Sequence, residues 1–168
     1  MKKVYSIWLN ALFFLISLYL IPYTSIAQSA KIDSLQKVLL TAKEACPEPC
    51  LGDTNKVNAL NALGWELMYS NPDTAIILTS QSLVIAEKSG WKKGIANSYG
   101  QLGAYNYLKG NYDQALDYYM KALKMNEELK DKKGIAKLLG NIGVIYWNQG
   151  DYPKALDYYL KALKIDEE

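Results

Sequence analysis

What most constrains this chain is that it repeats itself. Sliding the sequence by about 40 residues lays Gly94-Ile95-Ala96 on Gly134-Ile135-Ala136, and Gly110, Tyr112 and Ala115 on Gly150, Tyr152 and Ala155. Ala115-Leu116-Asp117-Tyr118-Tyr119 recurs unchanged as Ala155-Leu156-Asp157-Tyr158-Tyr159, and Lys121-Ala122-Leu123-Lys124 as Lys161-Ala162-Leu163-Lys164, so that about 18 of 35 aligned positions are identical. A weaker copy runs from about Asn55 to Gly90, with Gly64 standing for Gly103 and Gly143, and Ala75 for Ala115 and Ala155. A unit this short cannot bury its own apolar face, so a chain built this way must stack one unit on the next.

Each unit reads as two helices. Tyr99, Leu102, Gly103 and Asn106-Tyr107, then Tyr112, Ala115, Leu116, Tyr119, Ala122 and Leu123, recur at helical spacing. Lys109-Gly110-Asn111-Tyr112 and Gln149-Gly150-Asp151-Tyr152 separate the two runs, with glycine ending one helix at positive φ and Asn or Asp helping to start the next. Pro72 and Pro153 suit the first turn of a second helix, where a missing N–H is harmless. Gly64, Gly103 and Gly143 lie inside first helices, each costing about 1 kcal/mol against alanine. Close packing against a partner-helix alanine such as Ala115 is the expected compensation.

The resulting organisation is residues 1–27 as a leader, 28–52 as a short helix from Ala30 to Ala45 with a cysteine-containing linker, and 53–168 as the array. Its repeats fall at about 55–90, 94–133 and 134–168. The leader reading rests on Lys2 and Lys3, the apolar run Val4 to Ile21, and small residues at Ser25 and Ala27 before Gln28, a pattern that a signal peptidase cleaves. The run also reaches the lower length for a membrane span, which leaves an uncleaved anchor as the alternative. The chain is therefore expected to be exported, periplasmic or membrane-associated on the far side. Membrane contact is expected only if that segment stays on or a span follows residue 168.

Composition narrows the chemistry. All 19 basic residues are lysine, there is no histidine, and beyond the leader 17 lysines face 17 acids. A near-neutral chain lacks the basic excess of a nucleic-acid binder, and without histidine the usual neutral-pH general base and commonest metal ligand are missing. No phosphate loop, nucleophile elbow or metal-spaced cluster is present; Gly100-Gln101-Leu102-Gly103 lies within a helical run without the preceding strand a nucleotide loop needs. The expectation is a non-enzyme with no cofactor and no metal. Cys46 and Cys50, in Cys-Pro-Glu-Pro-Cys, fit a local disulfide in an oxidising compartment, with free thiols or redox and metal chemistry as alternatives.

The order Gly103, Tyr107, Gly110, Tyr112, Ala115, Tyr119 and Ala122, repeated as Gly143, Tyr146, Gly150, Tyr152, Ala155, Tyr159 and Ala162, resembles the tetratricopeptide repeat. A degenerate match extends back to about Asn55, where Thr79 and Ser82 replace the expected Tyr and Ala. Two departures stand out: a period of about 40 rather than 34 residues, and no proline closing the second helix. The longer period implies a second helix running through Met125-Asn126-Glu127-Glu128-Leu129. The resemblance implies an all-α, right-handed solenoid of stacked antiparallel helix pairs that binds a protein or peptide. Long-period arrays of this kind resemble those in exported parts of bacterial signalling proteins, so an accessory sensor region of a histidine kinase, cyclase or regulator with its output module beyond residue 168 is the alternative.

By the same resemblance the first helices line the inner surface, here with Asn58, Asn61, Trp65, Tyr69, Asn97, Ala104, Tyr107, Leu108, Lys137, Val144, Trp147 and Asn148. Such rings and amides suit an extended or helical peptide. The family's carboxylate clamp for chaperone tails needs several cations, whereas this set offers only Lys137. Tyr112, Tyr119, Tyr152 and Tyr159 are expected in the core. Asp117, Lys121, Lys124 and Glu128, like Asp157, Lys161, Lys164 and Glu168, are spaced as solvated helix-surface pairs rather than catalytic carboxylates. The last helix has no polar cap, so the array is expected either to continue or to be covered by a partner or by self-association.

Overall fold

The computed structural model describes residues 29–34, 37 and 52–167. The leader, both cysteines and most of the Ala30–Ala45 segment lie outside the described residues; 29–34 and 37 are helical. Six helices follow: α1 (Gly52–Leu67), α2 (Pro72–Lys88), α3 (Lys92–Leu108), α4 (Tyr112–Leu129), α5 (Lys132–Asn148) and α6 (Tyr152–Glu167). Each packs on the next along the chain, and α1 also touches α3, so the pairs α1–α2, α3–α4 and α5–α6 stack into an α-solenoid. Among the described residues there is no strand, and no helix is long and apolar enough to cross a membrane.

The punctuation expected from the turns is largely what ends and starts these helices. Gly90, Gly110 and Gly150 take φ of +64°, +77° and +79°. The left-handed residue lets the following N–H turn back on the last helical turn, as Asn111 N does to Asn106 O at 2.9 Å. After α4 that place is held by Lys130, at φ +55°, a residue with a Cβ where its counterparts have none. Asn71 Oδ1 accepts from Thr74 N at 3.1 Å ahead of Pro72, Asp131 Oδ1 from Gly134 N at 3.0 Å, and Asp151 Oδ1 from Lys154 N at 3.2 Å. Asn111 departs from the expectation: it makes no side-chain cap and donates instead to Asn106 Oδ1 at 3.5 Å.

Gly64, Gly103 and Gly143 are each packed against the partner helix: Gly64 in part against Ala75, whose carbonyl oxygen would lie 3.2 Å from an added Cβ, and Gly103 and Gly143 against rings rather than alanine. A Cβ on Gly103 would lie 2.6 Å from ring carbons of Tyr119, and one on Gly143 would lie 2.6 Å from the ring of Tyr159. In the second and third repeats a tyrosine ring of the second helix thus occupies the place of the missing side chain on the first. In the first repeat the ring is absent, and the space over Gly64 is shared by Thr79 and the hydroxyl of Tyr105, which reaches across from α3. Beside an apolar cluster of Met68, Ala75 and Tyr105, this first junction also buries hydroxyls and an amide. Ser82 Oγ donates to Val57 O at 3.1 Å, Ser98 Oγ lies 3.2 Å from Ser82 Oγ, and Asn61 Nδ2 donates to Ser98 Oγ at 3.1 Å. The second junction is apolar, with Tyr119, Leu123, Leu138, Leu139, Ile142 and Ile145 in one cluster.

Burial has a measurable consequence at Tyr105 and Tyr119. It pushes both hydroxyls up to about 12; a hydrogen bond with Thr79 partly opposes this at Tyr105, and neighbouring Tyr107 adds to it at Tyr119. An unfolded tyrosine ionises near 10. The folded state therefore keeps protons that the unfolded state loses, so this stabilisation is fully present below about pH 10 and disappears as pH rises toward 12. Urea unfolding should show a midpoint falling across that window, with tyrosinate absorbance rising as the fold is lost. Complete tyrosine ionisation near pH 10 in an intact fold would contradict it.

One core expectation is corrected at the last pair. Tyr119 is buried and Tyr112 half-buried, yet Tyr152 is 57% exposed, because α4 is packed between α3 and α5 whereas, among the described helices, α6 is packed closely by α5 alone. The surface charges behave as expected of a solvated face. Lys121 pairs with Asp117 at 2.7 Å and Lys161 with Asp157 at 2.6 Å, each one helical turn apart and exposed, while Glu128 reaches Lys92 at 2.7 Å. Such pairs contribute little to stability.

Candidate binding groove

The first helices of the three pairs form one wall-to-wall concave surface. A groove of about 340 Å³ is lined by Trp65 from α1, by Ala96, Asn97, Gly100, Gln101 and Ala104 from α3, and by Gly134, Lys137, Leu138 and Asn141 from α5. Asn126 and Asp131 complete the lining. Depth comes from the middle helix, where Gly100 and Ala104 withdraw their side chains from the floor. Curvature then brings α1 and α5 face to face across α3: Lys137 Nζ lies 5.9 Å from the Trp65 ring centroid, within reach of a cation–π contact.

Polar groups in the groove are held by the core beneath. Tyr105 O–H donates to Gln101 Oε1 at 3.2 Å, and Thr79 O–H donates to the same oxygen at 3.4 Å. With its oxygen engaged from below, the amide NH₂ of Gln101 is the half left for the groove. Gly134 makes room for Asn126: a Cβ there would sit 2.5 Å from Asn126 Nδ2. The lining therefore combines one broad ring, one ammonium and several amides. Amides can hydrogen-bond a peptide backbone, while Trp65 and Leu138 offer apolar contact.

The structure gathers some of the residues expected at this surface and separates others. Trp65, Asn97, Ala104 and Lys137 line the groove. Asn61 is turned inward instead, buried with both ends of its amide on Ser98 Oγ, because Ser98 and Ser82 place hydroxyls beneath it. Asn58 is exposed on α1, and Val144 is half-buried on α5. The remaining five sit at or beyond the far ends of the first helices. Tyr69 is beyond the end of α1 and, like Leu108, is exposed. Asn148 Nδ2 donates to Tyr107 O–H at 2.8 Å, tying two repeats together, and Trp147 meets Tyr152 edge-on at 4.9 Å. Gln101, Asn126, Asp131 and Asn141 were not anticipated; Gln101 and Asn141 lie one helical turn beyond Asn97 and Lys137, so extending those two positions along their helix face would have found them.

A stack of helix pairs with an amide- and aromatic-lined groove across its first helices defines a helical repeat scaffold. Residues 94–168, spanning α3 to α6, match the tetratricopeptide repeat family model, and this part of the chain is a tetratricopeptide repeat array. No curated protein matches the sequence. Among solved structures, BtubC (BKLC) from P. vanneervenii aligns with a TM-score of 0.70 at 20% identity, over 79% of this chain and 53% of that one. The TPR domain of Arabidopsis FLU aligns at 0.63 and 21% identity, covering 68% of this chain and 98% of that domain. The Rap conjugation gene regulator of plasmid pLS20, in complex with the Phr* peptide, aligns at 0.66 and 18% identity, over 83% of this chain and 39% of that one. The chain thus spans about half the length of BtubC and less of Rap. At these identities the likeness is one of fold.

Proposed function

We propose that this chain is an exported scaffold that holds an extended segment of another protein in the groove between Trp65 and Lys137, within a larger bacterial signalling protein. The observation that carries the binding reading is the Trp65–Lys137 pairing across Gln101, whose amide is aimed by two core hydroxyls. A ring, a cation and oriented amides over one trough match what a peptide presents: side chains to bury and carbonyls to hydrogen-bond. The peptide-bound Rap structure, a relative in fold, supports the same reading. Export is supported by the sequence from Met1 to Ala27 alone, and the signalling role by the resemblance of long-period arrays.

The test is selection of peptides from a random library on the chain, followed by photo-cross-linking of the best binder. Labels are expected on α3 and α5 around Asn97, Gln101 and Asn141. Labels confined to α2, α4 or α6 would refute the groove assignment. An N-terminus other than Gln28 in the exported protein would refute the proposed cleavage.

A further inference from the structure

We propose that the crevice between α2 and α4 is a second binding site, one that takes a phenol-type aromatic ring. It opens to about 590 Å³ and shares no lining residue with the groove, so it is independent of the reading above. What fits it can be seen one repeat further on. The 40-residue offset that lays Tyr118 on Tyr158 also lays Ile76 on Leu116, Asn106 on Tyr146 and Gln114 on Lys154. In the third repeat these positions close on themselves: the Tyr146 ring stacks on Tyr158 at 5.4 Å with an interplanar angle of 13°, and Lys154 Nζ lies 5.2 Å from the Tyr146 ring centroid. In the second repeat Ile76, Gln114 and Tyr118 line the crevice, and an asparagine stands where the stacked ring would be.

Asn106 does not fill that place. Its side chain is buried and folded back on its own helix, with Nδ2 donating to Leu102 O at 2.8 Å and Oδ1 accepting from Asn111 Nδ2 at 3.5 Å. Room for a ring is therefore left beside Tyr118, which meets Tyr99, tilted, at 6.2 Å. Stacking between rings gives the geometry that Tyr146 and Tyr158 already show. Of the charged groups in the crevice, Lys109 is held by Asp73 and Asp117 by Lys121, each at 2.7 Å, while the exposed Asp113 offers a carboxylate to a ring hydroxyl. The ligand is thus the ring of 4-methylphenol, the tyrosine side chain, whether free in solution or carried on a polypeptide.

The probes are 4-methylphenol and N-acetyltyrosinamide, each titrated into the chain while backbone amide shifts are followed. 4-Methylphenol should give saturable shifts around Asn106, Gln114 and Tyr118, with a dissociation constant on the order of 1 mM for so small a ligand. Binding of the blocked tyrosine as well assigns the site to a presented side chain; its exclusion assigns the site to a free phenol. Asn106→Tyr should restore the internal stack, weaken 4-methylphenol binding at least about tenfold and raise the unfolding midpoint. Tyr146→Asn should open the equivalent site, so that 4-methylphenol shifts amides around Leu116, Lys154 and Tyr158 and raises the lowered unfolding midpoint of that variant. Absence of saturable shifts at the crevice, or unchanged binding in Asn106→Tyr, overturns the proposal. Asn106→Tyr should capture the groove-selected peptide as before, which separates failure here from failure of the groove reading.

Discussion

Gly103→Ala should destabilise the fold by about 1–3 kcal/mol, although alanine is the better helix former by about 1 kcal/mol. The added methyl would sit 2.6 Å from two carbons of the Tyr119 ring, and that ring is buried beside Ala115, Ala122 and Leu123 with no room to withdraw. Either the ring leaves its rotamer or α3 and α4 separate, and both loosen the cluster that joins the second and third repeats. Gly140→Ala is the matched control. It lies in the equivalent type of helix with nothing within 4 Å of the added Cβ, so there the propensity gain stands alone and stability should rise by up to about 1 kcal/mol. Urea unfolding of the two variants, measured side by side, decides. Equal stabilisation of both would show that Tyr119 does not confine Gly103.

Trp65→Ala should reduce capture of the groove-selected peptide about thirtyfold or more while leaving the unfolding midpoint nearly unchanged. Truncating a tryptophan at a binding centre costs about 2 kcal/mol or more, and each 1.4 kcal/mol is a factor of ten. Stability is spared because Trp65 is 45% exposed and contributes little to the core. Trp147→Ala provides the comparison: its ring rests on Tyr152 at the end of the helix, away from the groove lining, so capture should persist. Titration of the labelled peptide against both variants reads this directly. Loss of capture with Trp147→Ala, and retention with Trp65→Ala, would move the binding surface to the edge where the first helices turn into the second.

Much of this molecule could be read before its coordinates were known, and the parts that could are local. Helical spacing, Gly110 and Gly150 at the turns, and the Asp151 cap act within a few residues of where they stand in the chain, so pattern and chemistry suffice to find them. Near-identity between the copies carried this further, since like sequences must adopt like helix pairs that need neighbours to bury their faces. It also overreached at Tyr152, where an identical residue sits on a helix that, among the described helices, is packed closely by α5 alone, and stands exposed.

What the sequence settled alone was the repeating helix pair and the class of work it suits. Which side chains meet was decided only by the stacked arrangement, because contacts between repeats depend on curvature and on what lies beneath each helix. Gly103 was expected against an alanine and lies against a ring. Asn61 was expected to face a ligand and is consumed by Ser98. Trp65 and Lys137, two repeats apart in the chain, share one trough because the small residues of α3 lie between them.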